Sequence, residues 1–83
     1  MLKKETTILN VPEGEVSMAA LVVQRAGKFN SSIYIEKDGR RVNGKSIMGV
    51  MTMPFAKGET LTITAEGPDE QEAIDSMENF LVK

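Results

Sequence analysis

Asp38-Gly39 constrains this chain more than any other pair of residues, because it falls between two short stretches of alternating character. Both residue types tolerate the positive φ that a two-residue type I′ turn requires at each central position. Before the turn, Ser32 to Lys37 puts Ile33 and Ile35 on one face and Tyr34 and Glu36 on the other. That is the pattern of a half-buried strand, and Arg40-Arg41-Val42-Asn43 is its return partner. A further alternating run, Glu59 to Glu66, brings Leu61, Ile63 and Ala65 into register and is broken by Gly67-Pro68. Leu2 to Asn10, with several threonines beside Ile8 and Leu9, reads as the first strand.

The intervening segments carry helical signals. Ser17 is placed to cap a helix in which Ala19, Val22, Val23 and Ala26 recur at helical spacing, with Gly27 as its stop. Asp69 begins the last helix and stands at capping-box spacing from Glu72. Its apolar stripe is Ala73, Ile74, Met77, Phe80 and Leu81. Between these lies a short helix. Gly44 permits a change of direction, Ser46 takes the N-cap, Ile47 to Met53 makes about two turns, and Pro54 ends it. The order β-α-β-β-α-β-α predicts an α+β fold, a four-stranded antiparallel sheet with three helices on one face. With 83 residues and no internal repeat or linker, residues 1–83 form a single domain.

Composition narrows function. The chain has no histidine and no cysteine, which removes the usual general acid/base and the commonest metal and thiolate chemistry. This narrows enzyme hypotheses without removing them, since a carboxylate or lysine mechanism stays formally open; the expectation is no enzyme, no metal and no cofactor. A net charge of −2 with no basic stripe argues against direct nucleic-acid binding. No apolar run approaches a membrane span, and Met1-Leu2-Lys3-Lys4-Glu5 lacks the apolar core of a signal peptide, so a cytoplasmic location is expected. The turn glycines Gly14, Gly39, Gly58 and Gly67 fit no nucleotide-binding spacing. Arg40 and Arg41 read as a solvated edge of the hairpin.

The short central helix is the exception to this blandness. Ile47, Met48, Val50, Met51 and Met53 are distributed around its axis and cannot all face one core. Val50 is assigned to the core. Ile47, Met48 and Met51 are expected to form an apolar patch for a partner, next to the hydroxyl of Ser46. On pattern alone, that serine is simply a helix cap.

At Lys45-Ser46-Ile47-Met48-Gly49-Val50-Met51 the chain resembles the HPr family, the phosphocarriers of the bacterial sugar phosphotransferase system. The likeness extends through Glu36-Lys37-Asp38-Gly39, Val42-Asn43, Ala56-Lys57-Gly58, Leu61-Thr62-Ile63 and Gly67-Pro68-Asp69-Glu70-Gln71-Glu72-Ala73. It implies an HPr-like open-faced β-sandwich, in agreement with the element order. The departure lies at the start of the first helix. The family's Gly-x-His-Ala-Arg-Pro-Ala motif is matched here by Glu13-Gly14-Glu15-Val16-Ser17-Met18-Ala19. An ungapped alignment puts Glu15 at the histidine, Ser17 at the arginine and Met18 at the proline, and a local shift puts Val16 at the histidine instead. Either way the resemblance implies a degenerate phosphocarrier site at Glu15 and Ser17, without phosphoenolpyruvate-dependent transfer.

The chain is most similar to the Crh-like branch of the family, which lacks the active histidine. That likeness implies phosphorylation of Ser46 by HPr kinase/phosphorylase, using ATP or pyrophosphate. It implies that the modified form is a corepressor of catabolite control protein A in carbon catabolite repression. Ser46 would be read there together with Lys45, Ile47, Met48 and Met51, while Ser17 departs from the arginine usual in the branch. A phosphoserine adds nearly two negative charges, which the free amides and dipole of a helix start accommodate. Lys45 and Arg41 are near enough in sequence to help balance them. Two other readings stay open. One is a phosphorylation-independent module that uses the same patch to regulate a metabolic enzyme. The other is a carboxylate phosphocarrier using Glu15. The polar first strand could exchange between protomers of a homodimer.

Overall fold

A computed structural model describes residues 1–11, 17–53 and 55–82. The elements run β1 (Leu2–Thr7), α1 (Met18–Ala26), β2 (Ser32–Lys37), β3 (Arg40–Asn43), α2 (Ile47–Val50), β4 (Thr60–Glu66) and α3 (Glu70–Val82). The four strands form one antiparallel sheet in the order β1-β4-β2-β3, and the three helices cover one of its faces. The predicted α+β, open-faced architecture is therefore the one observed.

The hairpin forms as its turn chemistry dictates. Asp38 and Gly39 both have positive φ, at 51° and 81°, and Lys37 pairs with Arg40 across them. The register carries Ile33 and Ile35 of β2 and Leu61, Ile63 and Ala65 of β4 to the helical side, where all are buried. Ala19, Val22 and Ala26 of α1 and Ala73, Ile74, Met77 and Leu81 of α3 close over them. The other side of the sheet is open and polar. There Tyr34 lies between Thr64 and Asn43, and the Arg41 guanidinium stacks on the Tyr34 ring, 4.1 Å from its centre.

Several expected boundaries move, each for a local reason. The first strand ends at Thr7 instead of Asn10, because the amides of Leu9 and Asn10 turn to the Leu81 carbonyl, at 2.9 and 3.1 Å. They satisfy an orphan acceptor at the end of α3 rather than extending the sheet. The last strand begins at Thr60, one residue later than expected. Gly27 does stop α1, but in right-handed conformation (φ −66°) rather than the left-handed one common at that position. Phe80 is only half-buried, its ring 5.1 Å from the Arg25 guanidinium carbon.

The capping box expected between Asp69 and Glu72 gives way to a longer-range arrangement. The Asp69 carboxylate accepts from the amides of Asn30 at 3.0 Å and Ser31 at 2.8 Å, and from the Ser31 hydroxyl. The Asp69 amide donates back to Ser31 Oγ at 3.1 Å. Ser31 is wholly buried, so this clamp ties the α1–β2 loop to the start of α3 and satisfies an interior hydroxyl. The Ser31 hydroxyl, followed by the Asn30 amide, holds the Asp69 carboxyl below its ordinary pKa. The N-terminal ammonium of Met1, 2.9 Å away, does the same for Glu70. A carboxyl with a depressed folded pKa stabilises the fold above its unfolded pKa, about 3.9 for aspartate. That contribution is lost as pH falls through the folded value. Urea midpoints should therefore be flat between about pH 7 and 5 and decline progressively below about pH 4. In Asp69→Asn the midpoint should be lower at neutral pH and the acid decline shallower. An unchanged acid limb in that variant would contradict the clamp's role.

Candidate functional site

The candidate site is the turn that follows the hairpin. The Gly44 amide donates to the Ile33 carbonyl at 2.7 Å, drawing the chain in over β2, and Gly44 itself is buried. Asn43 Oδ1 then accepts from the Lys45 amide at 2.9 Å, an Asx-type turn that sets the direction of approach. Ser46 occupies the N-cap of α2 with extended backbone (φ −101°, ψ 112°), and its hydroxyl oxygen accepts from the Gly49 amide at 3.4 Å. That is a long hydrogen bond, so little holds the hydroxyl in its capping position. Ser46 is half-buried, neither closed off from solvent nor fully outside.

Helix α2 is shorter than the two turns expected from the sequence. Only Ile47–Val50 is helical. The amides of Thr52 and Met53 then bond three residues back, to the carbonyls of Gly49 at 3.1 Å and Val50 at 3.0 Å. The Thr52 hydroxyl also donates to the Gly49 carbonyl at 2.6 Å, competing for the acceptor that a longer helix would use. Arg40 fixes this exit, its guanidinium donating to Thr52 Oγ1 at 2.8 Å and to the Thr52 carbonyl at 3.3 Å. Arg40 is thus a positioning residue, not merely a solvated edge. Only its place in the hairpin, adjacent in space to α2, could have revealed this. Pro54, the expected stop, lies outside the described residues. So short a helix has little macrodipole, so a phosphate on Ser46 would rely on nearby amides rather than on the helix as a whole.

The apolar side chains divide sharply. Val50 and Met53 are buried, at 0% and 6% exposure. Ile47, Met48 and Met51 are 42%, 79% and 66% exposed. All three lie on or at the end of the turn that Ser46 opens and leave apolar surface in solvent.

The basic neighbours are already engaged. The Lys45 ammonium donates to the Phe29 carbonyl at 2.7 Å, fastening α2's approach to the loop after α1. Arg41 is on the open sheet face with Tyr34. Those are the contacts the two cations make with Ser46 unmodified. Of the two residues expected to form a degenerate phosphocarrier site, Ser17 caps α1, its hydroxyl accepting from the Ala20 amide at 3.3 Å. Glu15 lies outside the described residues, as does the Pro12-Glu13-Gly14 turn. Among the described residues no helix is long and apolar enough to cross a membrane.

Comparison with known proteins agrees with the fold. The family model described as the PTS HPr component phosphorylation site matches residues 2–83. The HPr-like protein Crh of Halalkalibacterium halodurans is 43% identical over 83 residues, covering 100% of this chain and 99% of that protein. The crystal structure of a phosphocarrier protein HPr from Bacillus anthracis superposes with a TM-score of 0.87 at 39% identity, over 96% of this chain and 95% of that one. Crystalline Crh of Bacillus subtilis, described as an intertwined dimer with a swapped domain, superposes with a TM-score of 0.70 at 38% identity, over 88% and 93%.

Proposed function

The chain belongs to the HPr family, and from that premise we propose that it is a regulatory member whose switch is Ser46. HPr kinase/phosphorylase phosphorylates that serine, and the product acts as corepressor of catabolite control protein A. The protein is a cytoplasmic kinase substrate and binding module in carbon catabolite repression, not an enzyme and not a phosphoenolpyruvate-dependent carrier. The absence of any histidine in the sequence supports the last point, since no imidazole is available to take a phosphoryl group. Homodimer formation belongs to the proposal through the likeness to dimeric Crh. β1, on one of the two edges of the sheet, is the segment that could exchange.

The observation that carries this reading is the juxtaposition at α2: a loosely held cap hydroxyl opening a turn whose three apolar side chains project into solvent. A phosphoserine there would add charge at the edge of the patch without entering the core. A partner would then read both features, the phosphate by a bidentate arginine and the patch by apolar contact. The same patch also suits the phosphorylation-independent reading, which predicts partner capture that Ser46→Ala leaves unchanged. Incubation with ATP and HPr kinase/phosphorylase, read by intact mass, separates the two. One added phosphoryl group, about 80 Da, is expected on the wild type and none on Ser46→Ala. An unmodified wild-type mass, with an ordinary HPr labelled in parallel, would reject the proposal.

A further inference from the structure

We propose that Met48 and Met51 form a redox-modifiable site, in which hydroperoxides convert both thioethers to sulfoxides and the oxidised pair blocks docking beside Ser46. The chain has six methionines and no cysteine, so no thiol competes for oxidant. Met18, Met53 and Met77 are buried among core side chains. Met48 and Met51 are 79% and 66% exposed and stand three positions apart on the turn that Ser46 opens. Oxidation follows access to sulfur, so these two react ahead of the core methionines. Met1 is also accessible, but it precedes β1, with its amine held 2.9 Å from Glu70.

The chemistry is a two-electron oxygen transfer. A sulfur lone pair attacks one peroxide oxygen, the S–O bond forms and the O–O bond breaks. The transferred oxygen gives up its proton, and the departing oxygen takes it up and leaves as water or an alcohol. Sulfur is oxidised by two electrons and the hydroperoxide is reduced by two. The product replaces a flexible apolar side chain with a polar, chiral one, and reductases specific for each epimer reverse it. On the free protein the new S=O is solvated, so the fold is little affected. In a complex it must be desolvated against apolar partner surface, which opposes docking. Blocked docking rests on the Ser46 reading. The modification site itself does not.

The test treats the intact chain with hydrogen peroxide and quantifies each sulfoxide by peptide mass mapping. Met48 and Met51 should oxidise at least about tenfold faster than Met53 and Met77, with an unchanged circular dichroism spectrum. Ser46-phosphorylated protein should lose about tenfold in affinity for catabolite control protein A on peroxide treatment and recover it with both methionine sulfoxide reductases. In Met48→Leu/Met51→Leu, whatever its own starting affinity, peroxide should cause no change. Comparable oxidation of Met53 or Met77, equal affinity before and after treatment, or a peroxide effect that persists in the double variant would overturn the inference. Failure of the untreated phosphorylated protein to bind would count against the Ser46 reading instead, and the mapping would still decide the modification site.

Discussion

Gly67→Ala should unfold this domain far more readily than any surface substitution. Gly67 has φ +150°, and a Cβ built there would lie 2.7 Å from the Cα of Ser31 and 2.7 Å from its hydroxyl oxygen. Neither neighbour can retreat easily. The first is backbone, and the second is the buried hydroxyl that the Asp69 carboxylate and amide both engage. Relieving the clash means pulling the α1–β2 loop away from the start of α3 and losing the clamp that joins them. Backbone strain and overpacking each cost about 1–3 kcal/mol, so a loss of at least about 2 kcal/mol is expected. For a domain of this size that is a fall in Tm of at least about 10 °C, measurable by calorimetry. Gly39→Ala is the control: φ is also positive there, at 81°, but nothing lies within 4 Å of the added carbon. It should cost only about 1 kcal/mol from the left-handed backbone. Equal shifts in the two variants would contradict the packing account.

The second large effect concerns the patch. Met48→Ala/Met51→Ala should leave stability within about 0.5 kcal/mol of wild type, because both side chains lie largely in solvent. The same double variant, phosphorylated on Ser46, should bind catabolite control protein A much more weakly. Burying one methionine side chain in an interface yields about 1.5–3 kcal/mol at most, and partial burial of two brings the expected loss to about 2 kcal/mol, roughly thirtyfold in Kd. Val50→Ala should do the reverse, since Val50 is wholly buried: it destabilises the fold and acts on binding only through that loss. A double methionine variant that binds like wild type would show that this surface is not the docking face.

What the sequence revealed and what it hid divide along the range of the interactions. Asp38-Gly39 was legible because the turn depends on two residues' own backbone preferences. The caps at Ser17 and Ser46 were legible because each hydroxyl bonds an amide three residues on. The exposure of Ile47, Met48 and Met51 followed from counting apolar residues on an element too short to bury them. Asp69 was misread because capping-box spacing is a local pattern, whereas its partners, Asn30 and Ser31, are 39 and 38 residues away in sequence. The length of α2 was misread for the same reason, since its exit is set by Arg40 reaching across from the hairpin. Lys45 illustrates the limit at the site itself. Its ammonium donates to the carbonyl of Phe29, 16 residues away in sequence, a contact no local pattern announces. No local pattern separates a regulated serine from a capping one. That reading came from family resemblance, and its chemistry rests on solvent access.

The most direct test is a titration of catabolite control protein A with two forms of the same chain, unmodified and stoichiometrically phosphorylated on Ser46, followed by calorimetry. The phosphorylated form should bind at least about a hundredfold more tightly, the size of one or two charge-assisted contacts to the phosphate. Indistinguishable affinities for the two forms would contradict the assignment of Ser46 as the switch.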